Sequence, residues 1–381
     1  MDFYLDKLLN FPNVTVFTCY QKEGFTFLQL DLLNSKVKCD YCNFETDEIH
    51  QNRPILIRDL SICGHHVYLK VPRRQIYCPH CQKYSTEKLE FMEKGSKYTI
   101  KYEEYIYEKV KELTVKQVAV NEDLSEEQVQ NIFSKMASQK KNWEFPTRIS
   151  MDEISKRKGK RDFATVVSDI DSSSLIDVID SHKSEEIREE LSCHPLEIRE
   201  NVQEVSVDMC QVFHKVIPAV FPNAIIVVDR FHVMKLINKS VNKIRLILGL
   251  KGLKNRCLIM KNNQDLNEEE KEDLKQLLNN SPILAIAYEL KEEFRRIYED
   301  STTVKMGIRK IQKWLISAKI ILGTTAQTIE KYIKEICHYF INRTTSGVME
   351  GINNKIKLIL RQSYGFKDFK LLKEKLLACL F

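Results

Sequence analysis

Val205-Ser206-Val207-Asp208 and, one helix length later, Ala224-Ile225-Ile226-Val227-Val228-Asp229-Arg230-Phe231-His232 are the stretches around which this chain is organised. Each is a short apolar, β-branched run ending in an aspartate, and such a run reads as a buried strand. Functional side chains collect at the carboxyl ends of strands in an α/β sheet. Two carboxylates delivered side by side repel unless a cation lies between them, which makes a metal site the first physical reading. The alternative is that each aspartate caps the helix that follows it, from Gln211 and from Phe231.

The 381 residues suffice for two to four domains, and 43% hydrophobic with 29% charged residues is a globular composition. A net charge of +6 permits a polyanionic partner without requiring one. Of the eleven cysteines only four fall in a spaced pattern, which suits a reducing compartment and a metal site better than a disulfide framework. Met1-Asp2-Phe3-Tyr4-Leu5-Asp6 lacks the positive region and apolar core of a signal peptide, and no apolar run has the length of a membrane span. The expected location is cytoplasmic and soluble.

Upstream, Val14–Thr18 and Phe25–Leu30 suggest a small β element. Cys39-Asp40-Tyr41-Cys42 and Cys78-Pro79-His80-Cys81 are two CxxC knuckles, the standard way to set four thiolates tetrahedrally around Zn²⁺. The 35 residues between them hold strand-like runs at 55–57 and 67–71, as in a zinc ribbon, with Lys70, Arg73 and Arg74 available to phosphates. Cys63, His65 and His66 are left as packing and surface residues, since four thiolates already fill the site.

Residues 102–113 carry apolar side chains at helical intervals, and 115–132 have helix-turn-helix spacing. Val118, Leu124, Val129 and Ile132 would pack the two helices, and Ser125 with Gln128 would form a capping box. Asp123 stands at the turn where glycine is common. DNA contacts would fall to Gln128, Gln130, Asn131 or Lys135; a plain helical hairpin is the other reading.

A new pattern starts at Arg148-Ile149-Ser150-Met151-Asp152-Glu153 and continues with strands at 163–168 and 175–179, a helix at 184–191, then the two aspartate-ended strands. The order β-β-β-α-β-α-β is that of an RNase H-like fold, in which the first and fourth strands are neighbours and Asp152 meets Asp208. The basic run Lys156-Arg157-Lys158-Gly159-Lys160-Arg161 would lie in the first hairpin, where a phosphate backbone has to pass. From 231 to 339 the chain reads as helical, with 262–273 as a polar loop or junction and Trp314 in an apolar stripe. Last, Ser346 caps a helix on which Ile352, Ile356, Ile359 and Leu360 face one way and Glu350, Asn354, Lys357 and Arg361 the other.

With these blocks in hand, the chain resembles an insertion-sequence transposase of the DDE type, in the zinc-ribbon group called the ISL-three family. The resemblance rests on Cys39/Cys42/Cys78/Cys81, the helix-turn-helix, Asp152-Glu153-Ile154-Ser155 with Lys158-Gly159, Val207-Asp208-Met209, Asp229-Arg230-Phe231-His232-Val233, and Glu350-Gly351 with Asn353, Lys357, Arg361 and Gly365. His214 and His182 depart from the family pattern. The resemblance implies a multidomain α+β chain: an N-terminal β element and zinc ribbon (1–92), a helix-turn-helix domain (93–145), and an RNase H-like α/β catalytic domain (146–234 and 340–381) with an all-helical insertion (235–339). It implies Asp152, Asp208 and Glu350 as catalytic acids holding Mg²⁺ (or Mn²⁺). Asp229, His232, Asn353, Lys357 and Arg361 would support them, and Arg73, Arg74, Gln128, Asn131, Lys135, Lys156, Arg157, Lys158, Lys160 and Arg161 would bind DNA. The implied partner is double-stranded DNA, element ends and target, engaged by a homodimer or higher oligomer. Two rival readings differ in prediction: a regulator derived from a transposase binds repeats without nicking, and a structure-selective RNase H-like nuclease prefers branched or hybrid substrates.

Overall fold

The computed structural model describes residues 3–138, 143–156, 162–345, 347–362 and 368–380. The chain divides into two compact units, Met1–Lys140 and Lys141–Phe381.

In the first unit, helix α1 (Phe3–Leu9) precedes β1 (Val14–Lys22) and β2 (Phe25–Leu32). The short pair β3 (Val37–Lys38) and β4 (Glu45–Thr46) carries the first cysteine knuckle, and β5 (Ile49–Asn52), β6 (Ile55–Ile62), β7 (His65–Val71), β8 (Arg74–Cys78) and β9 (Lys83–Thr86) follow. They form one sheet of order β1-β2-β7-β6 and another of order β5-β8-β9. Alternation decides the faces: Leu28, Leu30, Val67 and Leu69 are buried from alternate positions of β2 and β7. Strands β5, β8 and β9 extend the ribbon beyond the two runs that the sequence suggested.

The four knuckle cysteines converge in the first unit. Their sulfurs all lie within 4.8 Å of one another, with Cys39 Sγ 3.6 Å from Cys81 Sγ and Cys42 Sγ 3.5 Å from Cys78 Sγ. Tetrahedral Zn–S bonds of about 2.3 Å put sulfurs roughly 3.8 Å apart, so the cluster fits zinc. The Tyr41 amide donating to Cys39 Sγ holds that thiol down at about 6. Burial, with the neighbouring sulfurs, pushes Cys81 up to about 12. Crowded thiols that resist joint ionisation are what a divalent cation resolves.

Helices α2 (Ile100–Glu112), α3 (Val115–Glu122) and α4 (Glu126–Ser138) complete the unit. Thr114 and Ser125 both head capping boxes, with Gln117 and Gln128. Asp123 does take the left-handed conformation of the turn, at φ 52°. Val118, Val129 and Ile132 are buried between the helices. The helical part is fastened to the sheet through a buried ion pair. Arg58 of β6 reaches Glu122 of α3 at 3.2 Å, and Tyr102 and Tyr105 also donate to Glu122.

In the second unit, β10 (Arg148–Ser155), β11 (Phe163–Asp169), β12 (Ser174–Ile179), β13 (Glu204–Val207) and β14 (Ile225–Val228) form one sheet of order β12-β11-β10-β13-β14. β10 is antiparallel to β11 and parallel to β13, and β13 is parallel to β14. Helices α5 (Ser184–Ser192), α6 (Leu196–Asn201) and α7 (Gln211–Val220) connect the strands; α6 is an addition to the expected order. The two-residue period sends Ile149, Met151 and Val205 to a core with α5 and α7. Ile154, Val166 and Val178 go to a second core with α16 (Gly347–Gln362) and α17 (Phe369–Leu380).

Between β14 and α16 the chain is helical: α8 (Arg230–Ile247), α9 (Leu253–Met260), α10 (Glu268–Asn279), α11 (Pro282–Asp300), α12 (Val304–Leu322), α13 (Thr324–Lys331), α14 (Ile333–Cys337) and α15 (Tyr339–Asn342). The expected polar junction at 262–273 is corrected in its second half, because Asn267 caps α10 in a box with Glu270 and starts a helix at Glu268. Trp314 is buried and donates to the Leu290 carbonyl, and Leu315 is buried beside it; the expectation that the whole stripe is core is corrected, because Ile316 and Ile320 are turned outward and exposed. Gly307 lets α12 meet α15: a Cβ there would stand 2.3 Å from the Phe340 ring. No helix among the described residues is long and apolar enough to cross a membrane.

Two outcomes follow for the first unit. Glu122→Ala strands a buried guanidinium and should cost about 3 kcal/mol in a denaturant melt, whereas the paired replacement Arg58→Met with Glu122→Leu should cost far less; equal costs would show that the pair does not carry this stability. The purified chain should release about one zinc per molecule to a chromophoric chelator, with loss of β-sheet circular dichroism from this unit. A Cys78→Ser protein that kept full zinc content would count against the site.

Candidate active site

The parallel register places the three aspartates. Ser150 pairs with Ser206, and two residues further each strand presents Asp152 and Asp208. Val207 pairs with Val228, and the next residues are Asp208 and Asp229. Three carboxylates therefore stand in register across β10, β13 and β14. β10 itself runs on to Ser155, but its pairing with β13 ends at Ser150, so Asp152 lies beyond the β13 ladder. Ser150 Oγ adds a bond to the Ser206 carbonyl across the two strands at 3.2 Å.

Each aspartate is held differently. Asp152 accepts from the Glu153 amide at 2.8 Å and from Asn353 Nδ2 at 2.7 Å. Asp208 accepts from the Cys210 amide at 2.9 Å, a turn contact at the start of α7. Asp229 is 3% exposed and caps α8 by accepting from Phe231 N; its other oxygen has no hydrogen-bond donor and faces His232 Nε2 at 3.8 Å. The capping reading thus holds for Asp229 without exhausting its carboxylate.

The electrostatics mark the strand ends as a place where anions are crowded. Burial raises the Asp152 carboxyl above its ordinary value, His232 and the Glu153 amide pull it back, and the Asp208 charge raises it again. Glu153 is raised too, by burial and then by Asp208. Glu153 was not among the expected site residues, although it stands next to Asp152 in the same acidic run. Its Oε1 lies 3.9 Å from Cys210 Sγ.

Glu350 is exposed on α16, one turn before Asn353, and α16 packs on β10. Asn353 is buried and spans 201 residues of sequence to reach Asp152. The three expected acids are not gathered within 4.8 Å of one another; among the described residues only the four cysteines meet that spacing. Lys357 and Arg361 are exposed further along α16, with Arg361 Nε bonded to the Lys357 carbonyl.

The expected DNA contacts fall into different environments. Arg73 is exposed, but Arg74 is corrected: it is 6% exposed, and its guanidinium bonds both Glu87 oxygens and Asn34, so it braces the ribbon. On α4, Asn131 is exposed, whereas Gln128 is engaged with Ser125 and with Tyr98 Oη. Lys135 lies between Glu93 and Glu103. Lys156 pairs with Asp162 and Asp180. Arg157, Lys158, Lys160 and Arg161, with Ser346 and Gly365, lie outside the described residues.

Comparison with known proteins bears on the family and on the order of its parts. The family described as transposase, the DDE group of ISL3, matches residues 149–376. The zinc-finger of transposase IS204/IS1001/IS1096/IS1165 matches residues 35–81, and the helix-turn-helix domain of transposase family ISL3 matches residues 87–136. A transposase for insertion sequence element IS1001 from Bordetella parapertussis is 25% identical over 348 residues, covering 87% of this chain and 85% of the relative. A transposase for insertion sequence element IS1557 from Mycobacterium tuberculosis is 25% identical over 258 residues, covering 58% and 57%. With zinc ribbon, helix-turn-helix and catalytic-region matches in that order, the chain belongs to the ISL3 family of DDE transposases.

Proposed function

We propose that the protein binds the terminal inverted repeats of its own insertion sequence and catalyses metal-dependent DNA cleavage and strand transfer there. The observation that carries this reading is the in-register meeting of Asp152 and Asp208, with Asp152 fastened by Asn353 to the helix that bears Glu350. We read the second unit as an RNase H-like domain formed by 146–234 and 340–381, with 235–339 as an all-helical insertion; 1–92 and 93–145 serve as ribbon and helix-turn-helix domains. The topology supports this, since the first and fourth strands of the sheet are parallel neighbours and helices cover both faces.

Asp152, Asp208 and Glu350 would hold Mg²⁺ or Mn²⁺. The donor set fits a hard cation: all are carboxylates, and burial together with the Asp208 charge disfavours an uncompensated anion at Asp152. Such ions supply charge neutralisation at phosphorus and a nucleophilic oxygen at neutral pH. The chain's own groups have the positioning tasks. Asn353 fixes the rotamer of Asp152, and Asp229 would position His232, 3.8 Å from it, whose field acts on the Asp152 carboxyl. Lys357 and Arg361 offer phosphate contacts from the exposed flank of α16, and Asn131 offers a base contact from α4. The DNA would be engaged by a homodimer or higher oligomer, in the cytoplasm at the nucleoid.

Asp208→Asn should keep binding to element-end DNA and lose Mg²⁺-dependent cleavage by about a thousandfold or more, as removal of a group at the reacting centre does. Asn353→Leu should lose less cleavage and keep DNA affinity. Cleavage of labelled element ends checks both, and full cleavage by Asp208→Asn would sink the assignment. Specific binding without cleavage by the unaltered chain would favour the regulator, and preference for branched or hybrid DNA the nuclease.

A further inference from the structure

The ribbon sheet β5-β8-β9 has an outer face with an unusual charge distribution. The three strands read Ile-His-Gln-Asn, Arg-Gln-Ile-Tyr-Cys and Lys-Tyr-Ser-Thr, without one acid among them, in a chain with 53 acidic residues. Pairing sets the outer side chains in rows. Gln51 stands opposite Gln75, and Gln75 opposite Thr86. In the next row Arg53 meets Arg73, with Arg53 N donating to the Arg73 carbonyl at 3.1 Å. Alternation sends Arg74, Ile76 and Cys78 to the buried side and leaves Arg73 and Gln75 on the outer one.

Two like charges directly across a strand pair destabilise a sheet unless something neutralises them. Arg74 solves this on the inner side with Glu87. Arg53 and Arg73 have no such partner: no carboxylate lies within 4.0 Å of either among the described residues. The Gln51 amide oxygen, in the orientation that satisfies its neighbours, accepts from the Arg53 guanidinium and so steadies it. These residues and Thr86 line an open groove of about 220 Å³.

Guanidinium and primary amide are also the side chains that pair bidentately with guanine and adenine edges, and a β-ribbon fits the major groove. From this we infer that the outer face of the β5-β8 ribbon is a second DNA-reading surface, separate from α4. Arg53 and Arg73 take phosphates, and Gln51 and Gln75 reach base edges. The inference rests on the DNA-end reading above and adds to it a surface and three residues that neither motif spacing nor the helix-turn-helix supplies. β8 ends in the ligand Cys78, so zinc sets this surface as well as the fold.

The test is fluorescence anisotropy of the full chain, zinc content verified, on a duplex carrying the element's own end and on a scrambled duplex, over a range of salt. Arg53→Ala and Arg73→Ala should each weaken both duplexes alike and reduce the log affinity against log salt slope by about 1. Gln75→Ala should leave that slope unchanged, and Gln75→Ala and Gln51→Ala should each cut the preference for the element end by about tenfold. Wild-type affinity and slope in the arginine variants overturn the proposal. So does a change in sedimentation with DNA binding intact, which would assign the face to a protein partner. If Asn131→Ala loses binding while the arginine variants keep it, this surface is wrong and the proposed function stands. If the unaltered chain shows no preference for element ends, the proposed function is wrong, and the arginine slopes on the scrambled duplex still decide whether this face binds DNA.

Discussion

The parallel register between β10 and β13 is the constraint on which the second unit depends. Ser150 opposite Ser206 is what turns two separate strand ends into one carboxylate row, and the same register carried across to β14 adds Asp229. A slip of one residue would turn Asp152 to the opposite face, since side chains alternate along a strand. Burial on both faces forbids that slip. Ile149 and Met151 fill one core while Ile154 fills the other, so the apolar pattern and the acid row are locked together.

Crowding anions at buried strand ends is unfavourable, and the protein offsets it with fixed hydrogen-bond donors. Asn353 donates to Asp152 without adding charge, the Cys210 amide donates to Asp208, and His232 stands 3.8 Å from Asp229. Glu153 adds a further partly buried carboxyl, raised above its ordinary value by burial and by the Asp208 charge. On the function proposed above, a divalent cation would take up what remains uncompensated. Folding thereby stores, in an arrangement of its own residues, the electrostatic demand that a metal would satisfy.

The first unit meets a different problem. Its sheets are small, and a small sheet buries too little apolar surface to fix its neighbours alone. Two polar devices complete it: the sulfur cluster at the knuckles and the buried network of Arg58, Glu122, Tyr102 and Tyr105. The second couples the position of α3, and through its turn α4, to strand β6. Orientation of the helix-turn-helix is therefore set by a charge pair inside the unit, in addition to the packing of Val118 and Val129.

Sequence by itself determined the pieces whose physics is local. CxxC spacing announced the sulfur cluster, Ser125 and Gln128 announced a capping box, and β-branched runs announced β13 and β14. The ordering of those strands also made Asp152 and Asp208 neighbours, because a right-handed crossover leaves few alternatives. Only the tertiary structure decided matters that depend on long-range pairing. Arg73 and Arg74 are adjacent in sequence, yet the pleat exposes one and buries the other against Glu87. Asn353 is one polar residue on a helix until the packing of α16 on β10 brings it to Asp152. Arg53 carries no motif, and its pairing with Arg73 exists only because β5 and β8 are antiparallel neighbours. Periodicity tells which way a side chain points relative to its own strand; what it then meets is fixed by partners far along the chain.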